Sequence, residues 1–432
     1  MAEHQARRLS KRKPSKTTLL GPGLITGAAD DDPSGIATYS QAGAQFGFGL
    51  LWTVFLTTPF MIAIQLVSAH IGRTTGKGIA ANAKALYGRN ILFGLVSLLL
   101  IANIINIAAD IAAMAEAAYL VVGGLRHEHA LIFAALSVLL QVFVRYRHYA
   151  PFLKWLTLVL FLYVGVVFTV AIPWPQVVLG TFLPRIELTP DYLTLLVAVL
   201  GTTISPYLFF WQASQEVEEM KRGGHKRPLN KLSRGGAFEI RRMAIDTTIG
   251  MIFSNLIAYF IMLTTAATLH THGITNIDTA ADAAEALRPI AGDLAFILFA
   301  LGIIGTGLLA IPVLAGSAAY AVAELFEWPS SLEARFRHAV GFYGIIAAAT
   351  VIGFGLTFTP IDPIRMLIWS AVINGVIAVP VMVMMMLIVS HKGAMGRFRA
   401  TWNLTVTGWG ATALMGATVA TMIVSLIASI LA

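Results

Sequence analysis

The sequence predicts an all-α polytopic membrane protein with eleven transmembrane helices, ten of them in two inverted five-helix repeats. Three observations predict it. Of 432 residues, 57% are apolar and only 12% charged, and the mean hydropathy is +0.76. The apolar residues fall into many runs of about 20, the length that crosses a hydrocarbon core. Finally, two of those runs, five spans apart, are each interrupted near mid-depth by small residues and a proline. Paired interruptions at corresponding positions mark an inverted repeat with broken first and sixth helices.

The spans lie near 18–45, 48–72, 91–122, 130–146, 151–173 and 191–219, then 241–269, 291–325, 337–356, 364–390 and 407–431. The second, third and eighth exceed a minimal crossing, which implies tilt or extension into water. Connections are mostly short, so residues 18–431 read as one transmembrane domain behind a basic tail, 1–17. The repeats occupy about 18–173 and 191–390, and the eleventh helix, about 407–431, stands outside them. Met1 to Lys16 shows no short apolar core with a cleavage site, so no signal peptide is evident and the first helix serves for insertion. The absence of cysteine excludes disulfides and thiolate metal sites.

The formal charge is +8, from 30 Lys and Arg against 22 Asp and Glu. With the N-terminus inside, all the basic residues except Arg126, Arg185, Arg288 and Arg365 fall on the cytoplasmic side. The positive-inside rule therefore predicts an N-in, C-out protein of the cell membrane, as in a bacterial inner membrane. The charge is an orientation signal and not a nucleic-acid surface. The lipid bilayer is an expected partner, and a monomer the expected working unit. Lys221–Arg242, with Gly223, Gly224, Gly235 and Gly236, reads as a mobile cytoplasmic loop.

The first interruption is Asp30-Asp31-Asp32-Pro33-Ser34-Gly35, between Leu19–Ala29 and Ile36–Leu51. Carboxylates at bilayer depth cost several kcal/mol unless they face a cavity, a partner or an ion. Pro33 and Gly35 supply a break that frees main-chain carbonyls beside them. The second interruption is Gly201-Thr202-Thr203-Ile204-Ser205-Pro206-Tyr207. Unwound carbonyls and half-helix ends are expected to meet where the two breaks face each other, with Asp32 bringing the negative charge.

Gly21-Pro22-Gly23 to Trp52, including Asp32-Pro33-Ser34-Gly35-Ile36-Ala37-Thr38 and Ala42-Gly43-Ala44-Gln45-Phe46-Gly47, resembles the first span of the Nramp divalent-metal transporters. Gly72-Arg73-Thr74-Thr75-Gly76-Lys77 resembles the segment after their second span. The resemblance implies a LeuT-type fold, no enzyme activity, no resident cofactor, and a metal held as cargo between the broken helices. The departures are as telling. The family's first-helix Asp-Pro-Gly-Asn is here Asp32-Pro33-Ser34-Gly35, so the Asn ligand is Gly35. Its sixth-helix Met-Pro-His is Ser205-Pro206-Tyr207, and its third-helix Asp-x-x-Glu keeps Asp110 but has Ala113. This combination resembles the Nramp-related magnesium transporter branch, which lacks the usual ligands and proton coupling.

The residue chemistry agrees. A thioether favours softer transition metals over Mg2+, and its replacement by Ser205 removes that discrimination. Magnesium keeps its water and takes an octahedral oxygen shell with one or two carboxylates. Losing side chains at 35 and 205 is expected to leave room for that water. Mn2+ accepts the same oxygen ligands. All ten histidines fall at span ends, in loops or in the tail, so no histidine relay is placed at mid-membrane. Uncoupled, electrogenic import of Mg2+, with Mn2+ second, follows; a proton-coupled Mn2+/Fe2+ symporter is the alternative.

Each candidate carries a plainer reading. Asp32 is the expected ligand, with a helix cap as its alternative. Asp30 and Asp31 cannot both join it, because successive helical positions diverge by about 100°; Asp31 is a pathway candidate. Thr202 offers a carbonyl and Ser205 a hydroxyl that could instead bond its own helix. Gly35 acts through space, and Tyr207 is a cavity wall or a buried hydrogen-bonded tyrosine. Asp110 and Glu116 are pathway groups or partners of Asn103 and Asn106. Glu216 is expected at a solvated helix end near Lys221, and Met382, Met384, Met385 and Met386 as packing or lipid contact. An intramembrane aspartyl protease built on Asp32 and Asp110 leaves the paired breaks unexplained.

Overall fold

The computed structural model describes residues 21–144, 158–222, 228–231 and 236–431, and among them there are helices and no strands. The basic tail, the 145–154 segment with the start of the fifth span, and 223–227 and 232–235 of the Lys221–Arg242 loop lie outside the described residues.

Prolines start the helices that matter most. At the first helical turn the missing N–H costs nothing and the fixed φ is already helical. Pro22 opens α1 (Pro22–Asp30) and Pro33 opens α2 (Pro33–Phe46), where Asp32 caps by accepting from the Gly35 N–H at 2.7 Å. The chain continues through α3 (Leu51–Thr75), a short α4 (Ile79–Tyr87), α5 (Arg89–Val122) and α6 (Arg126–Phe143). Next come α7 (Phe161–Val166) and α8 (Trp174–Phe182). Pro190, behind the capping Thr189, opens α9 (Pro190–Thr203), and Pro206 opens α10 (Pro206–Arg222). Then follow α11 (Gly236–Thr268), α12 (Ala280–Glu285), α13 (Ala295–Phe326) and α14 (Val340–Leu356). Finally α15 (Pro363–Ser390) starts at Pro363 with Asp362 as its cap, and α16 (Trp402–Leu431) ends the chain.

Each expected span has a helical counterpart, the fifth described only from Leu158 onward. Seven stretches are long and apolar enough to cross a membrane by length and composition: Pro33–Thr75, Arg89–Val122, Pro190–Lys221, Gly236–His272, Arg288–Phe326, Pro363–Ser390 and Trp402–Leu431. The first joins two spans through a tight turn at Gly47–Leu50. The short helices α4, α8 and α12 lie in segments expected as connections.

The interior is built around the broken helices. α11 packs along α1, α2 and α3, α13 along α5, and α9 along α15. A Cβ on Gly27 would stand 2.3 Å from the Gly250 carbonyl oxygen, and one on Gly250 only 2.2 Å from that of Gly23. Hydrogen alone fits there, the small-residue contact by which helices approach in lipid. Met382, Met384, Met385 and Met386 are buried in this packing. α16 buries few residues, as suits a helix outside the repeats.

Candidate metal-binding site

α1 stops at Asp30 and α2 starts at Pro33, so Asp31 and Asp32 lie in a gap of non-helical backbone. α9 stops at Thr203 and α10 starts at Pro206, leaving Ile204 and Ser205 in a second gap. The gaps face each other. Tyr207, in the first turn of α10, donates its hydroxyl to Asp32 Oδ2 at 3.0 Å. The Thr202 hydroxyl oxygen lies 3.1 Å from where a Cβ on Gly35 would stand.

Asp32 is the hub, with only 1% of its surface exposed. Oδ1 accepts from the Gly35 N–H, so the helix cap is present. Oδ2 accepts from Tyr207 and, at 3.4 Å, from Asn106 Nδ2 on α5. Asn106 is held in turn, its Oδ1 accepting from the Ser370 hydroxyl of α15 at 2.8 Å. Three helices, α2, α10 and α5, thus meet at one carboxylate, and α15 reaches it through Asn106. Sequence reasoning placed Asn106 only as a partner for Asp110 or Glu116. Its spacing of four from Asp110, which puts both on one helical face, was the available signal.

The remaining candidates divide. The Ser205 hydroxyl lies 2.8 Å from the carbonyls of both Gly201 and Thr202 and donates its one proton to one of them at a time, so it bonds back to its own helix. The Thr202 carbonyl expected to face an ion therefore shares that donor with the Gly201 carbonyl. Gly35 is packed against Thr202, and the room expected beside it is a close contact in this conformation. The reason is physical: without a side chain at 35, the two broken helices simply move together.

The acidic triplet splits as helical geometry requires. The Ser254 hydroxyl of α11 lies 2.5 Å from Asp30 Oδ2 and 3.2 Å from Asp31 Oδ1. It carries one proton and serves one carboxyl at a time. Asp31 therefore faces α11 and not the group around Asp32. Among the described residues, no three His, Asp or Glu side chains gather where they could hold a metal ion.

Asp110 lies one turn beyond Asn106, fully buried, with neither carboxyl oxygen hydrogen-bonded and within electrostatic reach of Asp32. Glu116 stands apart at the far end of α5, where Arg126 Nε approaches it to 2.6 Å. Glu216 corrects the sequence expectation: it is 2% exposed, not solvated. Gln212 donates to it at 3.1 Å, Thr26 donates to Gln212 at 2.5 Å, and Arg73 comes within 3.8 Å. A buried charge needs such partners, and two of the residues involved, Thr26 and Arg73, lie on helices distant in sequence.

Residues 23–425 match the family model described as natural resistance-associated macrophage protein-like, Nramp. The divalent metal cation transporter MntH of Klebsiella pneumoniae (strain 342) is 28% identical over 404 residues, covering 91% of each chain. MntH of Xanthomonas campestris pv. campestris is 29% identical over 294 residues, 67% of this chain and 64% of that one. Among solved structures, the Eremococcus coleocola manganese transporter aligns with a TM-score of 0.74 at 16% identity, covering 94% of this chain and 85% of that one. Mhp1, a nucleobase-cation-symport-1 family transporter, aligns at 0.55 and 14% identity, covering 94% and 92%. These likenesses place the LeuT-type fold.

Proposed function

The chain belongs to the Nramp family, and from that premise we propose that it imports divalent cations by alternating access, Mg2+ first and Mn2+ second, without proton coupling. It is a carrier and not an enzyme, and the metal is its cargo. The observation that carries the choice of Mg2+ is the donor set where the two gaps meet. One carboxylate, Asp32, is hydrogen-bonded by Tyr207 and Asn106, Thr202 lies against Gly35, and Ser205 stands in the facing gap, with no sulfur among them. A sulfur-free oxygen set does not select soft metals. Asp32 also accepts three hydrogen bonds already. An ion that keeps its water can exchange those donors for its own water protons, which suits magnesium. Mn2+ shares the oxygen preference, and the solved neighbour is a manganese transporter.

In this reading Asp32 is the principal ligand, and Gly35, Thr202 and Ser205 shape the site. Tyr207 and Asp110 line it, while Asp31 and Glu116 act at a distance from it. The two five-helix halves rock against each other around the gaps. The protein works as a monomer in the cell membrane, with its N-terminus in the cytoplasm.

One observation favours the second reading. The unbonded, buried Asp110 carboxyl is the kind of group a proton-coupled Mn2+/Fe2+ symporter would use. Uptake into proteoliposomes with dyes for Mg2+, Mn2+ and internal pH separates the two. Mg2+ entry at constant pH, abolished by Asp32→Ala in a folded protein, is the expected result. Mn2+ entry with acidification and no Mg2+ transport would establish the symporter instead.

A further inference from the structure

α1 has one end at the metal site and the other in a ring of buried and half-buried charge. Asp246 of α11 accepts from the Gly21 N–H at 2.9 Å through Oδ1 and from the Gly23 N–H at 2.7 Å through Oδ2. Those are orphan donors of the helix's first turn, and Pro22 between them has no N–H to offer. Arg73 of α3 is hydrogen-bonded to Glu239 and lies 3.8 Å from Glu216. Arg242 is hydrogen-bonded to Glu219. The space they enclose is only about 10 Å³, at the lower limit for one water. No three carboxylates there gather as a metal cage.

We propose that Asp246 is a positioning residue for transport: it latches α1 to α11, and with Arg73 and Arg242 it seals the cytoplasmic side of the metal site. Releasing the cargo inward requires its two bonds to α1 to break. Apart from that latch and the Ser254–Asp30 hydrogen bond at the metal-site end, α1 meets α11 through Gly23, Gly27 and Gly250, a smooth surface that does not interlock. The inference uses the transporter reading and its orientation, and nothing in it depends on which divalent ion is carried.

The chain has no cysteine, so single reporters can be added without a background. Thr26→Cys places one on α1 at a fully buried position, and Gln41→Cys places one under the 275–277 segment on the opposite side. Labelling with a membrane-impermeant maleimide is timed from each face. Asp246→Asn turns one acceptor into a donor facing an N–H, and is expected to speed cytoplasmic labelling at position 26 about tenfold while slowing labelling at 41. Arg242→Glu should do the same, and adding Glu219→Arg should return the rate to within about twofold of the parent. Unchanged labelling at 26 would overturn the latch, and so would faster labelling at both positions, which signals general loosening. Acceleration at 26 seen only from the opposite face would support the latch and overturn the orientation. Uptake measured on the same variants keeps failure of the Mg2+ reading separate, because protection from maleimide is read without any metal.

Discussion

Asp32 Oδ2 is shared by two donors of unequal reach, Tyr207 at 3.0 Å and Asn106 at 3.4 Å. A cation bound through this oxygen has to displace at least one of them. Hydrogen bonds to charged groups contribute about 1.5–3 kcal/mol, so Tyr207→Phe should destabilise the empty site and tighten Mg2+ binding about tenfold. Calorimetric titration checks this; weaker binding would mean that the tyrosine touches the ion or its water. Ser205→Met should release the carbonyls of Gly201 and Thr202 and add a soft donor. Competition of Cd2+ against Mg2+ uptake should then rise several-fold, and no change would show that geometry and not softness sets selectivity. Asp32 was legible in the sequence because a carboxylate in an apolar run has few inexpensive explanations. Asn106 was not, since an asparagine in a membrane helix has many partners open to it.

At the scale of elements, the breaks behave as paired caps. Asp32 caps the start of α2, and the one Ser205 hydroxyl serves the Gly201 or the Thr202 carbonyl at the end of α9. α1 lies in close backbone contact with α11. Gly250→Val would drive a side chain into the Gly23 carbonyl, and overpacking of this kind typically costs about 1–3 kcal/mol. A lower Tm in detergent and reduced uptake are expected, and an unaltered Tm would show that α1 shifts freely on α11. The long elements were readable because apolar length is a local signal. The short α4, α8 and α12 were not, for six to nine residues give too little periodicity. The charge ring was equally hidden: Gly21 and Asp246 lie 225 residues apart, and only packing brings them together.

Across the whole molecule, the membrane field acts on the cargo's two charges. The potential contributes about 2.3 kcal/mol per charge per 100 mV, or about 4.6 kcal/mol for a divalent ion. At an inside-negative 100 mV, an uncoupled carrier should therefore hold roughly a thousandfold gradient of free Mg2+ at equilibrium. A carrier that moves one proton with each ion would add about tenfold for every pH unit imposed across the membrane. The equilibrium ratio, measured in sealed liposomes at fixed potential and varied pH gradient, separates these cases without reference to rates. Independence from the pH gradient is the expected outcome, and Asp110→Asn should leave the ratio unchanged. A tenfold shift per unit that disappears in Asp110→Asn would identify that buried carboxyl as the proton carrier. The absence of sulfur and histidine at the two gaps would then govern metal choice alone, and the driving force would reside in α5.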